Sequence, residues 1–403
     1  MTTPPPEATL VVDGPEFLAD PHTHYDRMRR ETPIRVGRIS VLPGQDIHFL
    51  ARYADCVALT TDTRFRRALP DGAPQPLPEA LRLLAVDSMI LKDDPEHRRL
   101  RRLVSRPFTP QAVGRLAERV QEVTGALLDG FLPGRPVDLQ QAYALPIPVT
   151  VISEMVGLAP DERTTFHEGM RLLVGGLATL GMDEAVRRME ELTGFVRGLV
   201  ARRRRAPGED IMSGLVQASD DGEALTDDEV VAMVFLLVAA GYETTYNLIG
   251  NGVVALLGHP DQLARLHRDP ELIDGAVEEI LRWTGTIGGT KPTYAHEDVD
   301  WHGVRIPRGA MMMPLLASAN RDPAVFDRPD EFDITRSPNP HIAFSKGAHF
   351  CLGASLARME ARIAIGNLVA RFPGLRLAVD PAALRTLPSP LMLRLDGLPV
   401  VPG

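Results

Sequence analysis

The chain has 403 residues, 44% hydrophobic and 24% charged, with a formal net charge of -9. That is the make-up of a globular protein able to bury a large core. The acidic balance excludes a general nucleic-acid binder, whose phosphate contacts need a cationic surface. Cys56 and Cys351 are the only cysteines, which excludes a disulfide framework and a multi-cysteine zinc site. The opening "MTTPPPEATLVVDGPEF" has no basic region and no long apolar run, and the run "VVAMVFLLVAAG" is shorter than a bilayer requires. The expectation is a cytoplasmic protein with no membrane association.

In chain order, most of the sequence reads helical. "DPHTHYDRMRRETP" predicts an amphipathic helix closed by Pro33, and "GRISVLPGQDIHFLARYADCVALT" predicts short strands followed by a helix. From Pro95 to Pro207 the spacing is repeatedly helical, broken at Pro107, Pro110, Pro133, Pro136 and Pro160. Here "DPEHRRLRR" sets His97 and Arg101 four apart on one helix face. Alone, such a run is usually a solvated basic face. The clearest element opens with "TDDE", where Thr226 and Glu229 have capping-box spacing, and it runs until "GHP" ends it. A helix of that length spans about 45 Å at a rise of about 1.5 Å per residue. Its first half is apolar nearly all round, so burial on every side is expected.

"AAGYETT" interrupts that apolar pattern. One reading is a face that reaches solvent, with the threonines bonding back to carbonyls. The other is a distortion: Gly241 weakens the helix, a water enters the ladder, and Glu243 beside Thr244 holds and relays protons. Next come a helix in "PELIDGAVEEILRWTG", a β-rich stretch over 290–316 and the irregular "SANRDPAVFDRPDEFDITRSPNPH". Glu279 and Arg282 are by themselves an ordinary i,i+3 pair. "FSKGAHFCLG" follows, then a helix over 352–372 and short terminal strands. No break in composition marks a boundary. The expected fold is one mainly α domain over 1–403 with a small β region (α+β).

Cys351 admits three readings: a buried core thiol, a nucleophile needing a base that His349 alone does not establish, or a lone thiolate ligand to haem iron. The context favours the third. Gly347 and Gly353 suit a tight loop. A helix starting just after the cysteine would favour a thiolate through its N–H groups and dipole.

Phe344-x-x-Gly347-x-His349-x-Cys351-x-Gly353 resembles the haem-binding signature of the cytochrome P450 family. Ala240-Gly241-x-Glu243-Thr244 is similar to that family's acid–alcohol motif, and other family features occur in order from about Asp94 to Glu360. The resemblance implies a cytochrome P450 fold, with a long central helix over a haem and a cysteine-ligand loop. It implies a monomeric haem-thiolate mono-oxygenase using haem b (iron protoporphyrin IX), dioxygen, and electrons from a ferredoxin and ferredoxin reductase. Cys351 would be the iron ligand, and Glu243 and Thr244 would handle protons. His97, Arg101 and His349 would meet the haem propionates, while Ala240, Gly241, Thr244, Phe344, Ser345 and Gly353 would line the cofactor. Glu279, Arg282 and Arg336 would form a buried structural network. Arg98, Arg99, Arg102 and Lys346 would offer a basic patch to the electron carrier.

Two departures stand out. Ser345 occupies a place usually held by glycine, and Thr293 one usually held by a propionate-binding arginine, for which Lys291 is the available substitute. By the same resemblance the pocket is walled by 88–90, 172–180, 238–242, "GTIGGT" and "SPLML"; the glycine content of "LLVGGLATLGM" suits either a mobile lid or a loosely packed connection. These walls are mostly apolar and fit a lipophilic small molecule of secondary metabolism, with Tyr242 and Thr286 as polar anchors. A haem sensor without turnover and a haem-free cysteine hydrolase are the competing classes. A sensor has no need of the acid–alcohol pair.

Overall fold

The structure, a computed structural model, describes residues 10–40, 42, 44–70, 88–176, 182–220, 223–387, 389 and 392–403, with the side chains of 170–176, 182, 219, 220 and 223 left out. The chain falls into two compact units, each built from separate stretches of sequence. One comprises Met1–Ala73, Val254–Phe350 and Leu384–Asp396; the other comprises Pro74–Val253, Cys351–Ala383 and Gly397–Gly403.

The first unit is organised on a six-stranded mixed sheet. Its order is Leu10–Val11, Ile34–Arg38, Ile47–Leu50, Met311–Pro314, Thr293–Ala295, Phe65–Arg66. Met311–Pro314 lies inside the sheet, parallel to Ile47–Leu50 and antiparallel to Thr293–Ala295. Every residue of this strand is buried, as a strand covered on both faces must be. Alternation along the strands separates two cores. Ile47, Phe49, Met311 and Met313 join Phe17 and Tyr25 in one. Leu50 and Met312 join Ile34, Cys56, Leu59, Phe65 and Trp301 in the other. Cys56 is fully buried, and desolvation pushes its thiol up. It is therefore an inert packing residue.

A polar knot ties helix Ile273–Thr284 to the irregular segment that follows Ala319. Glu279 and Arg282 are both fully buried. Arg282 Nε and Nη2 donate to Glu279 Oε2 and Oε1 at 2.8 and 2.7 Å. Its remaining N–H groups donate to the carbonyls of Asn320 and Pro329, at 3.0 and 2.7 Å, and of Glu331, at 3.0 Å. All five donors of the guanidinium are thus used. Glu279 also accepts from Asp333 N at 2.9 Å, Asn339 Nδ2 at 3.2 Å and Arg336 Nε at 3.2 Å. Arg336 continues to the carbonyls of Asp327, Arg328 and Glu331. A segment without regular structure thereby finds partners for carbonyls that would otherwise be costly to bury.

The second unit is mainly helical. Helix Asp227–Gly258 begins there with the capping box formed: Glu229 N donates to Thr226 Oγ1 at 3.2 Å, and Thr226 N to Glu229 Oε2 at 2.8 Å. Val230, Val231, Val234, Phe235 and Val238 have no exposed surface. By length and composition alone this helix could cross a membrane, but more than half of its apolar stretch is buried inside the protein. Helix Ala354–Arg371 is held to its neighbours by polar contacts. Asn367 Nδ2 donates to Gln121 Oε1 and Thr124 Oγ1 at 2.6 and 2.8 Å, and Tyr143 donates to Ala364 O at 2.8 Å.

Arg282→Ala leaves the Glu279 carboxylate buried with its best partner gone, and is expected to lower unfolding free energy by about 3–5 kcal/mol. Arg282→Lys should recover little of this, because three rotatable donors cannot replace a planar fork of five. Equilibrium urea unfolding of both variants checks the expectation; wild-type stability in the lysine variant would contradict it.

Candidate functional site

Between residues 230 and 257 of the long helix, Ala240 is the one exposed residue, and Thr244, four residues on and on the same face, is half-buried. This face opens while the rest of the helix is covered. The helix runs without a break from Asp227 to Gly258. Thr244 Oγ1 donates to Ala240 O at 2.7 Å, bonding back within the helix. Gly241 has a packing reason: a Cβ there would lie 3.1 Å from Ile152 Cγ1 on helix Pro146–Val156. Glu243 is 8% exposed, and its backbone carbonyl accepts from Asn247 Nδ2 at 2.8 Å.

Also in the second unit, Cys351 is exposed but surrounded by enough protein that burial pushes its thiol up. The Gly353 N–H and the charges of Arg101 and Arg358 pull the other way. Arg101 lies on helix Glu96–Val104, one turn beyond His97. His97 is buried; desolvation lowers its imidazole, and Arg101 lowers it further. Arg101 is itself lowered by burial and raised by the Cys351 charge. Two other cations of this helix are engaged elsewhere. Arg99 pairs with Glu229 at the cap of the long helix, and Arg98 pairs with Asp94 at 2.6 Å.

The first unit supplies the chain up to Phe350. Ser345 is buried with φ +62°, in the left-handed region that disfavours residues with a side chain. This explains why glycine is the usual occupant. Its Oγ is buried with no hydrogen-bond partner among the described residues. Gly347 has φ +73°, and a Cβ there would fall 2.4 Å from Thr60 O, so only glycine fits. It opens a short 3-10 turn, Gly347–His349, in which His349 is half-buried. The Phe344 ring lies 6.3 Å from that of Phe350. Gly353, by contrast, has φ -85° and open space around its α-carbon. What it contributes is the N–H beside the sulfur, rather than a permissive backbone.

The expected pocket walls are only partly described. Residues 172–180 and, within "SPLML", Pro390 and Leu391 lie outside the described side chains. Tyr242 is buried against the rings of His167 and Tyr246, at 5.6 and 6.4 Å. The Thr286 hydroxyl shares a hydrogen bond with Thr284 at 2.9 Å. Arg358 beside the sulfur was not legible in the sequence; it sits seven residues beyond Cys351, a spacing that carries no chemical signal until the helix is placed.

The donor set can be tested against the group it would hold. No cluster of three His, Cys, Asp or Glu side chains that could hold a metal occurs among the described residues. An iron bound at Cys351 must then bring its other ligands with it, as porphyrin nitrogens do. One N–H and two guanidinium groups act on the sulfur, and an open helix face with a small residue occurs in the same unit. These features fit a haem thiolate.

Known proteins agree. A family model described as cytochrome P450 matches residues 183–381. Cytochrome P450 107B1 of Saccharopolyspora erythraea is 41% identical over 398 residues, covering 96% of each chain. The cytochrome P450 monooxygenase PikC of Streptomyces venezuelae is 40% identical over 402 residues, covering 99% of this chain and 95% of its own. The chain belongs to the cytochrome P450 family. Its fold is the P450 fold: the Bacillus subtilis polyketide synthase P450 PksS superposes with a TM-score of 0.91 at 34% identity, over 98% of this chain and all of the other. This P450 is a mono-oxygenase of a family that carries haem and uses dioxygen. The main departure of the P450 from its signature, Ser345, is a strained residue.

Ser345→Gly should relieve the left-handed strain and remove the buried hydroxyl, raising stability by about 1 kcal/mol. Thermal melts of the two proteins measure this; a lower melting temperature for the glycine variant would show that the serine hydroxyl is bonded in solution.

Proposed function

We propose that this P450 binds haem b through Cys351 and hydroxylates or epoxidises a lipophilic small molecule of secondary metabolism. The observation that carries the reading is the sulfur itself: an exposed thiol with the Gly353 N–H and the Arg101 and Arg358 charges acting on it. When bound, the haem supplies the redox chemistry, in which two electrons and two protons reduce dioxygen, one atom entering a C–H or C=C bond and the other leaving as water.

The chain's own residues hold, orient and deliver protons. Arg101, His97 and His349 bind the two propionates; Arg101 gains from a carboxylate partner because burial otherwise disfavours its charge. Ala240, Gly241, Thr244, Phe344, Ser345 and Gly353 line the cofactor. The small side chain at the open face of the long helix lets a planar ring approach. Thr244, whose hydroxyl already donates to Ala240 O, accepts and passes protons, and Glu243 supplies them from a nearly buried position. Glu279, Arg282 and Arg336 keep the segment before the cysteine loop in one conformation.

The family relationship supports electrons from a ferredoxin and its reductase, a cytoplasmic monomer, and a single P450 domain over 1–403. The secondary-metabolic role draws on PksS, a protein of polyketide biosynthesis. Arg99 and Arg98 pair with acids, so they contribute less to a basic patch for the carrier than their sequence run implies.

Reduction under carbon monoxide is the direct test. The wild type should absorb far to the red of a histidine-ligated haem, and Cys351→Ser should lose that band. Thr244→Ala should keep the band but divert most electrons to hydrogen peroxide in a ferredoxin-driven assay. A wild type lacking the band, or one whose reductant use ignores every substrate offered, would refute the mono-oxygenase reading.

A further inference from the structure

Strand Phe65–Arg66 lies at the edge of the sheet in the first unit and pairs antiparallel with Thr293–Ala295, placing Phe65 opposite Ala295 and Arg66 opposite Tyr294. One step further in the same register, Arg67 falls opposite Thr293, so the two side chains share a face. Lys291 is two residues before Thr293, a spacing that returns to that face in extended chain. Arg67 also reaches that segment directly: its Nη1 donates to the backbone carbonyls of Lys291 and, at 3.2 Å, of Pro292.

Two cations are thereby brought together at the end of this ribbon. Arg67 is only 7% exposed. Lys291 keeps an exposed surface, yet the protein around its ammonium and then the Arg67 charge lower it, and no acidic group among the described residues acts on it. The third member is Thr293, 9% exposed, whose Oγ1 has no hydrogen-bond partner among the described residues. Like charges held close disfavour one another, and a buried hydroxyl without a partner is costly. An anion with two oxygens would relieve both: it accepts from the ammonium and the hydroxyl, and neutralises the pair of cations.

We propose that Arg67, Thr293 and Lys291 form a carboxylate-binding site. The inference rests on the haem-thiolate reading, because the two carboxylates that could arrive there are a haem propionate and the acid head of an amphiphilic substrate. In the first case, the cation missing from residue 293 is replaced from the neighbouring strand and from two residues upstream. In the second, the apolar pocket carries an anchor for a lipophilic acid.

The test uses the haem-loaded full chain as wild type, Lys291→Gln, Lys291→Arg and Thr293→Val. One arm follows haem transfer from the ferric protein to excess apomyoglobin. The other titrates the Soret band with a long-chain carboxylic acid and with the alcohol of equal length. A charge-assisted hydrogen bond is worth enough that Lys291→Gln should speed haem transfer about tenfold if the propionate is bound, or reduce the acid-over-alcohol preference about tenfold if the substrate is. Thr293→Val should shift the same arm in the same direction, and Lys291→Arg should restore it. Haem transfer within about twofold of wild type, together with an acid preference that is absent or unchanged in Lys291→Gln, overturns the proposal. That result leaves the haem-thiolate reading standing if the wild type shows the red-shifted carbon monoxide band; a wild type without the band removes both.

Discussion

A guanidinium shut away from water, with all of its N–H groups committed, is the constraint on which the first unit depends. Arg282 binds Glu279 within its own helix and reaches three carbonyls of a segment that has neither strand nor helix to hold it. Glu279 then gathers Arg336, Asn339 and the Asp333 N–H. Such a network stabilises little relative to an apolar core of the same shape, since desolvating two charges offsets most of their attraction. What it supplies is specificity. An irregular segment has many conformations of similar energy, and only the one that satisfies every donor and acceptor tolerates burial. From that segment the chain runs on through Ser345 and Gly347 to Cys351.

At the cysteine the electrostatics are opposed. Burial favours the neutral thiol, while the Gly353 N–H and two arginines favour the thiolate. Left to these terms the thiol prevails. A metal centre reverses the balance, because a coordinating thiol is deprotonated outright. The two cysteines of the chain illustrate the difference. Cys56, sealed in the sheet core, is raised by burial, and the charges of Asp55 and Asp322 push it the same way. Cys351 is exposed and has an N–H and two cations acting on it.

Much of this was legible before folding. The capping box at Thr226 and the buried first half of its helix follow from local spacing and apolar content. The signature around Cys351 identified the family, because a glycine-flanked cysteine before a helix is a short-range pattern. Gly241 admitted two readings. A glycine in a helix looks the same in sequence whether it loosens the ladder or admits a neighbour, and here Ile152 decides. The basic run after Asp94 looked like one patch, but Arg99 turns to an acid 130 residues away along the chain.

The sequence by itself determined the family and the long helix, since each is written in residues close together along the chain. Only the tertiary structure decided that position 345 demands a left-handed backbone, that all five donors of Arg282 are used, and that Arg67 stands opposite Thr293. Those facts depend on dihedral angles and on strand register between segments more than 200 residues apart. Local pattern carries no information about them until packing brings the segments together.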